Sequence, residues 1–522
     1  MSREVVLYDT TLRDGAQTEG ISLSVSDKLR IAMKLDELGI PYIEGGWPAS
    51  SEKEVEFFRK AKKLKFKRST LTAFGSTRKA DSPVGKDSQV ASLLEAETKV
   101  ITIFGKSWDL HVREVFRVPL EENLKMIAET VAHLKKRGRE VMYDAEHFFD
   151  GYKANPEYAL KTLQAAAESG ASALILCDTN GGSLPSFIHR IIDEVKSRLQ
   201  VPLGIHCHND ADLAVANSVA AVEAGVTQVQ GTVNGYGERC GNANLCSIIP
   251  ILQLKMEYAC VPANRLETLT EVAHYVAELC NMRPDDHQPF VGPSAFAHKG
   301  GVHINAVMKN PTTYEHLDPK RVGNRTRLLV SELGGKSSIL ASAKTLKLDS
   351  MDSEQAKKFM RQVQELENQG YHYEVAEGSF QVLMRRHYKR FKKFFHLEGF
   401  RVVVEKKPDG ELLSEATIKL KVDGKVEHAA AEGDGPVHAL DRALRKALLQ
   451  FYPSVGEMRL VDFKVRVLES QGGTAARVRV LIQSQDPQES WWTVGVSENI
   501  IEASWQALVD SMEYKLLKDR HS

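Results

Sequence analysis

Through the first half of the chain, short apolar runs alternate with longer segments of helical period. The runs cover residues 5–8, 42–45, 69–73, 100–104, 140–145, 173–177, 203–208 and 228–232. Between them, apolar positions recur every three or four residues over 24–38, 121–136, 156–169 and 184–199, with a further helix expected within 88–97. Ser24 with Asp27 forms a start signal, and Gly39 a stop. Runs such as Ala173-Leu174-Ile175-Leu176 are apolar on both faces, as parallel strands covered by helices are. Eight such β/α units predict a closed (β/α)8 TIM barrel in an α/β chain.

Beyond residue 262 the pattern turns helical, over 264–279, 333–346 and 354–368. The stretch 380–395 is basic and aromatic, with Met384-Arg385-Arg386-His387-Tyr388-Lys389-Arg390 at its centre. It reads either as a site for a phosphate-bearing ligand or partner, or as an amphipathic linker helix with a solvated cationic face. From residue 396 strands return, over 401–405, 416–422 and 425–430, before a helix over 436–449. The order then repeats, with strands over 461–468, 476–482 and 491–496 and a helix over 500–517. Val437, Ala439, Ala443 and Leu444 are matched 64 residues on by Ile501, Ala503, Ala507 and Leu508. A βββα unit is therefore used twice, which predicts an α+β domain with a pseudo-two-fold. Such a domain holds a small effector between its halves or serves as a dimer interface. The expected organisation is a catalytic barrel over 1–262, helical linker and lid subdomains over 263–395, and a C-terminal regulatory dimerisation domain over 396–522.

Composition narrows the class. At 522 residues, 42% hydrophobic and 26% charged, the chain is of soluble globular type with more than one domain. Lys+Arg and Asp+Glu both total 69, so nothing electrostatic points to nucleic acid or an anionic membrane. No apolar run reaches the roughly 20 residues that span a bilayer. The first strand begins at once, so no secretory signal is expected. Six cysteines fall between Cys177 and Cys280 without a CxxC pair, which suggests reduced, buried thiols in a cytoplasmic protein.

Candidate chemistry gathers at the C-terminal ends of the strands, where barrels of this kind build active sites. Arg13 and Asp14 follow the first strand in Asp9-Thr10-Thr11-Leu12-Arg13-Asp14-Gly15. His206 and His208 end the seventh. Two residues apart on a strand, they face the same way. With Asp14 they form a divalent-metal ligand set, for which zinc, manganese and magnesium are all suitable. Asn242, in the three-glycine loop 234–242, is the candidate fourth ligand or else caps its own turn. Arg13 can stabilise a developing oxyanion beside the metal, pair with Glu44 at the end of strand two, or do both. Glu146 after strand five can orient a substrate or take a proton. Thr179 after strand six can bind a substrate carboxylate or cap its loop. His298 and His303 lie in a glycine-bearing loop followed by Tyr314. A histidine there serves as a general base over the mouth or as a structural loop residue. Phe74 and Phe104 end strands three and four, as pocket walls or as core packing.

Taken together, the segments 9–15, 177–181, 206–210 and 234–242 with the His303 and Tyr314 loop resemble the acyl-CoA-condensing α-keto acid synthases of the DRE-TIM metallolyase family. This group includes the 2-isopropylmalate, homocitrate and citramalate synthases. The resemblance runs nearly end to end, and the C-terminal repeat resembles the family's allosteric dimer domain. Residues 42–48 and 143–151 are most similar to the citramalate branch, although Asp144-Ala145-Glu146-His147 departs from the pattern of most isopropylmalate synthases. That branch condenses acetyl-CoA with pyruvate, on the way to isoleucine through 2-oxobutanoate. The alternatives are 2-isopropylmalate synthase, acting on 2-oxoisovalerate, and homocitrate synthase. The resemblance implies a divalent ion (Mn2+, Zn2+ or Mg2+) on Asp14, His206, His208 and Asn242. Arg13, Glu44 and Thr179 would bind the keto acid. Glu146, His303 and Tyr314 would be candidates for deprotonating the acetyl methyl. It further implies a homodimer with isoleucine as effector. A lyase on the same barrel would end soon after it, and a biotin-dependent carboxyltransferase would carry a modified lysine where this chain has Cys177-Asp178-Thr179. A catalytically silent sensor would not need ligands, arginine and loop histidine together.

Overall fold

Side chains on a strand alternate between two faces, and in the first half of this chain that alternation sorts residues into the inside and the outside of a barrel. The structure is a computed structural model that describes residues 3–329, 339–340, 343, 353–387, 393–468 and 476–520. The helix expected over 333–346 lies almost entirely outside the described residues, as do residues 388–392 of the basic stretch. The chain divides into two units, Met1–Phe296 with Leu317–Thr326, and Ala297–His316 with Arg327–Ser522.

The first unit is the closed barrel that the eight β/α units predict. Its strands are β1 (Val6–Asp9), β2 (Tyr42–Gly46), β3 (Thr70–Ser76), β4 (Val100–Lys106), β5 (Glu140–Glu146), β6 (Ala173–Asp178), β7 (Leu203–Cys207) and β8 (Gln228–Gly231). They pair in sequence order, all parallel, and β8 returns to β1 with Val6 opposite Gln228 and Asp9 opposite Gly231. Outward-facing Leu7, Ile43, Ala73, Ile103, Leu174, Leu176, Ile205 and Val229 are buried under the surrounding helices. Ser24 caps the helix Val25–Leu38 through a reciprocal pair with Asp27, and Gly39 ends it at φ 96°. Asp87 accepts from the N–H groups of Gln89 and Val90, which fixes the third helix at Ser88–Glu95, within the expected window.

The barrel interior is layered. Its lower part is mostly apolar, built from Tyr8, Val100, Met142, Ala173 and Ile175, while Cys177 lies level with His206. Further along β2, β3, β4, β5, β7 and β8 the inward residues are polar: Glu44, Thr72, Thr102, Asp144, His206 and Gln230, all buried. The Tyr8 hydroxyl joins the layers. It donates to Glu44 Oε2 at 2.7 Å and lies 2.9 Å and 2.7 Å from the hydroxyls of Thr72 and Thr102. Burying so many polar groups is costly unless they bond to one another, and here they do.

The second unit contains the repeat. The two-residue strands β9 (Ala297–His298) and β10 (Arg327–Leu328) pair side by side. Strands β11 (His396–Lys406), β12 (Leu412–Val422) and β13 (Lys425–Gly433) form one antiparallel sheet, followed by the helix Pro436–Leu448. Strands β14 (Arg459–Val467), β15 (Val478–Gln485) and β16 (Ser490–Ser497) form another, followed by the helix Ile500–Asp519. The matched positions behave alike. Ala439, Ala443 and Leu444 are buried, as are Ala503, Ala507 and Leu508, and both repeats share one apolar core. The helices Ser353–Asn368 and Glu377–His387 pack Phe359, Val363, Phe380 and Met384 against Val494 and Val496 of β16. Arg386 corrects the picture of a solvated cationic face. Its guanidinium is paired with Asp510 at 2.8 Å and Glu513 at 2.6 Å on the last helix, so this part of the basic stretch is an internal clamp. Among the described residues no helix is long and apolar enough to cross a membrane.

Candidate metal centre and active-site cavity

The turn after β1 is wound tightly. The N–H groups of Arg13, Asp14 and Gly15 all donate to the Thr10 carbonyl, and the Asp9 carboxylate accepts from the Thr11 N–H and hydroxyl. The Thr11 hydroxyl in turn accepts from Val233 N–H, just beyond β8. This turn delivers Asp14 beside the ends of β7 and β8. Asp14, His206 and His208 each offer one ligand atom, and these atoms lie within 4.8 Å of one another. His206 Nε2 is 3.1 Å and His208 Nε2 4.0 Å from Asp14 Oδ2. The Asn242 side chain joins them, its amide nitrogen 2.7 Å from Asp14 Oδ2 and 3.3 Å from His206 Nε2.

Two features of the glycine loop make this placement of Asn242 possible. Gly241 has φ +88°, a conformation that side chains disfavour, and a Cβ on Gly237 would lie 2.0 Å from Asn242 Oδ1. The loop is pinned from outside by Arg239, which donates to both Asp210 oxygens and to the Thr179 carbonyl. It therefore ties together the segments that follow β6, β7 and β8.

The electrostatics suit a cation. Burial pushes the Asp14 carboxyl upward, but the Arg13 guanidinium and His206 outweigh it and hold Asp14 well below the usual carboxylate range. Burial, reinforced by the charge of His206, pushes His208 down to about 3, so its imidazole is neutral with a lone pair to offer. Burial also tends to lower His206, but the hydrogen bond its ring makes to the Asp14 carboxylate, with that group's charge, raises it overall. Within the cluster of Asp14, His206, His208 and Asn242, two buried polar atoms have no protein partner: Asn242 Oδ1 and His208 Nδ1. Turning the Asn242 carboxamide over exchanges its oxygen and nitrogen, which would give the cluster an amide oxygen beside a carboxylate and two imidazoles. Such a mixed oxygen and nitrogen set fits a divalent metal ion.

Above this cluster opens a cavity of about 200 Å3, lined by Arg13, Asp14, His206 and His208 with Glu146, Thr179 and three aromatic rings. Arg13 Nε donates to Glu44 Oε1 at 2.5 Å, and its guanidinium carbon sits 3.8 Å over the Phe74 ring. The two readings of Arg13 are therefore compatible, since the pair with Glu44 leaves it on the cavity wall. Phe74 and Phe104 stack at 5.3 Å, and Trp47 meets both edge-on. The Thr179 hydroxyl accepts from His147 N–H at 2.9 Å, which leaves its own proton to donate. Glu146 is paired with Lys106 from β4. His303 and Tyr314 belong to the second unit, where their exposed rings stack at 4.1 Å, and His298 Nε2 lies 3.3 Å from Glu315 Oε1. Five of the six cysteines are buried as expected. Cys240, on the glycine loop, is exposed and corrects that expectation.

Some participants are missing from the sequence reading. Trp47, Lys106, Arg239 and Gln230 all touch the site or its supports. Gln230 was legible in principle as the inward-facing residue of β8 one strand over from His206. The others require knowledge of which loops meet.

Comparison with known proteins shows the family. The HMGL-like family profile matches residues 4–276, the profile of the homocitrate synthase post-HMGL domain matches 290–371, and that of the LeuA allosteric (dimerisation) domain matches 374–516. The chain is 56% identical to the (R)-citramalate synthase of Geobacter sulfurreducens over 98% of each chain. It is 55% identical to that of Aquifex aeolicus over 99% of each. It is 33% identical to a probable 2-isopropylmalate synthase of Methanopyrus kandleri, again over 98% of each.

Proposed function

The chain belongs to the HMGL-like family, in the branch of the (R)-citramalate synthases, and from that premise we propose that it condenses acetyl-CoA with pyruvate and hydrolyses the thioester to give (R)-citramalate and CoA. The observation that carries this reading is the full-length similarity to enzymes of that name, combined with a cavity that sets Arg13 beside a buried Asp14, His206 and His208 cluster.

A divalent ion held by Asp14, His206, His208 and Asn242 would supply Lewis-acid polarisation of the keto acid carbonyl. Manganese, zinc and magnesium all suit this donor set. Arg13, steadied by Glu44 at 2.5 Å, faces the oxygen that gains negative charge when the new carbon–carbon bond forms. Thr179 donates its free hydroxyl proton to the substrate carboxylate. The proton leaving the acetyl methyl passes to a base. Glu146 on the cavity wall and the His303 and Tyr314 pair are the groups proposed for that step. Addition of water to the thioester then expels CoA as the thiol and makes the overall reaction one-way. The stacked Phe74 and Phe104 with Trp47 put three bulky rings on the cavity wall, which favours the small methyl of pyruvate over the branched side chain of 2-oxoisovalerate.

In this reading the product feeds isoleucine synthesis through 2-oxobutanoate. The C-terminal repeat forms a homodimer that binds isoleucine as effector, and the enzyme works in the cytoplasm. Release of CoA from acetyl-CoA with manganese added, measured against pyruvate, 2-oxobutanoate, 2-oxoisovalerate and 2-oxoglutarate, tests it. Clear preference for pyruvate is expected. Preference for 2-oxoisovalerate or 2-oxoglutarate would overturn the substrate assignment in favour of leucine or lysine synthesis.

A further inference from the structure

Behind the metal cluster, three buried side chains from three strands form a chain of hydrogen bonds that the reaction as described does not use. Asp144 on β5 is 4% exposed and Gln230 on β8 is fully buried. Gln230 Nε2 donates to Asp144 Oδ1 at 3.2 Å, and Gln230 Oε1 lies 2.9 Å from His206 Nδ1. We propose that Asp144 is a positioning residue that, through Gln230, fixes the tautomer and ring orientation of His206 and so presets its Nε2 as a metal ligand. This rests on the metal reading above.

The argument is one of donors and acceptors. A side-chain amide has one accepting end and one donating end, and left alone Gln230 could present either to the imidazole. In this pair Asp144 Oδ1 is the acceptor. It therefore claims the Nε2 end of Gln230 and turns the Oε1 end toward His206. An oxygen acceptor there requires a proton on Nδ1, which leaves the lone pair of the neutral ring on Nε2, the atom that faces Asp14. Were Gln230 reversed, its N–H would face Nδ1, the proton would move to Nε2, and that atom would offer a hydrogen where the cation belongs. Outer partners of this kind set ligand orientation and metal affinity, and losing one typically costs about 10- to 100-fold in affinity. Asp144 sits on the wall of the same cavity, but its hydrogen bond goes to Gln230 and not to a ligand atom, so its action on the metal is indirect.

Titrating metal-depleted full-length protein with Mn2+, with binding followed calorimetrically, tests the chain in the parent and in Asp144→Leu, Asp144→Asn and Gln230→Leu. Asp144→Leu and Gln230→Leu are expected to weaken Mn2+ by about 10- to 100-fold. Asp144→Asn, which keeps an accepting oxygen, should stay within a few-fold of the parent. Unchanged affinity in a folded Asp144→Leu protein overturns the proposal. An Asp144→Asn loss as large as that of Asp144→Leu also overturns it, because charge and not the hydrogen bond would then be responsible. A second readout does not depend on variants of Asp144 folding. In Zn2+-loaded, 15N-histidine-labelled parent protein, with the His206 signals assigned by their loss in His206→Gln, the proton should reside on Nδ1. A proton on Nε2 refutes the chain. A parent that binds no divalent ion overturns the metal reading and this inference together, whereas failure of the variants alone overturns only the inference.

Discussion

At the mouth of the barrel, Asp14, Glu44 and His206 are buried among one another, yet Asn242 Oδ1 and His208 Nδ1 end without a partner. Around the helix Ile500–Asp519, charge is buried to a similar degree with the opposite result. Asp510 and Glu513 close on Arg386, and Asp486 accepts from Lys518 at 2.6 Å, pairs with Lys515 at 3.1 Å and receives the N–H groups of Gln488 and Glu489. Taking charge out of water is expensive in both places. In the second set Arg386, Lys515 and Lys518 supply counter-charge from within the chain, although burial still raises Asp510 and Glu513 overall, and the set reads as scaffold. The first leaves Asn242 Oδ1 and His208 Nδ1 without a protein partner beside a cavity, and so reads as a ligand site. Breaking the first should therefore remove function and spare the fold, while breaking the second should do the reverse.

The largest effect is expected from His206→Ala. Turnover should fall below detection and bound metal should drop, while the melting temperature of the metal-depleted protein should shift little. Full activity with unchanged metal content would sink the assignment. Arg13→Lys should follow, keeping the charge but losing the fork that reaches Glu44 and sits over the Phe74 ring. A decrease in kcat of about 10²- to 10³-fold is expected, in line with loss of one oxyanion donor. If kcat holds and only KM rises, Arg13 binds the ground state and not the developing charge.

On the scaffold side, Arg386→Met leaves Asp510 and Glu513 buried without their counter-charge. Removing one member of such a set costs about 3 kcal/mol, readable by denaturant unfolding. Pyruvate turnover measured at low temperature, where the fold persists, should be retained. A stability unchanged within error would mean that the two carboxyls are served by other groups.

The contrast also explains what could be read from sequence. The barrel and the repeat were legible because burial imposes a period. Runs such as 173–176 are apolar on both faces, and Ala439 and Leu444 recur as Ala503 and Leu508. Asp14, His206 and His208 were legible because their residue types and strand-end positions point to one chemistry. The supports were not. Gln230, Asp144 and Arg239 are chemically unremarkable residues whose meaning comes from partners on other strands and loops. Arg386 looked like a solvated cation because a sequence does not show that Asp510 and Glu513, far along the chain, close on it. Packing skeletons are periodic, while polar networks are particular to one three-dimensional arrangement.

The two repeats offer the finest test of that distinction, because they share the skeleton and differ in the network. Sixty-four residues before Asp486, Lys515 and Lys518 stand Val422, Phe451 and Ser454, so the first repeat has no counterpart to this ion cluster. Burial pushes the Asp486 carboxyl upward, but Lys518, the two N–H groups and Lys515 outweigh it, and the folded protein holds Asp486 below the usual aspartate range. A group whose folded value is depressed stabilises the fold above its unfolded value, near 3.9, and loses that contribution as pH falls through it toward the folded value. Asp486→Asn should therefore cost about 2 kcal/mol at neutral pH, the scale of hydrogen bonds to a charged group. The gap between parent and variant should stay level down to about pH 5 and close below about pH 4. Val422→Ala at the matching place in the first repeat removes apolar packing only, so its cost should be flat across the same range. A gap for Asp486→Asn that persists in acid would show that the aspartate contributes through shape rather than charge, and the two repeats would then differ less than their sequences suggest.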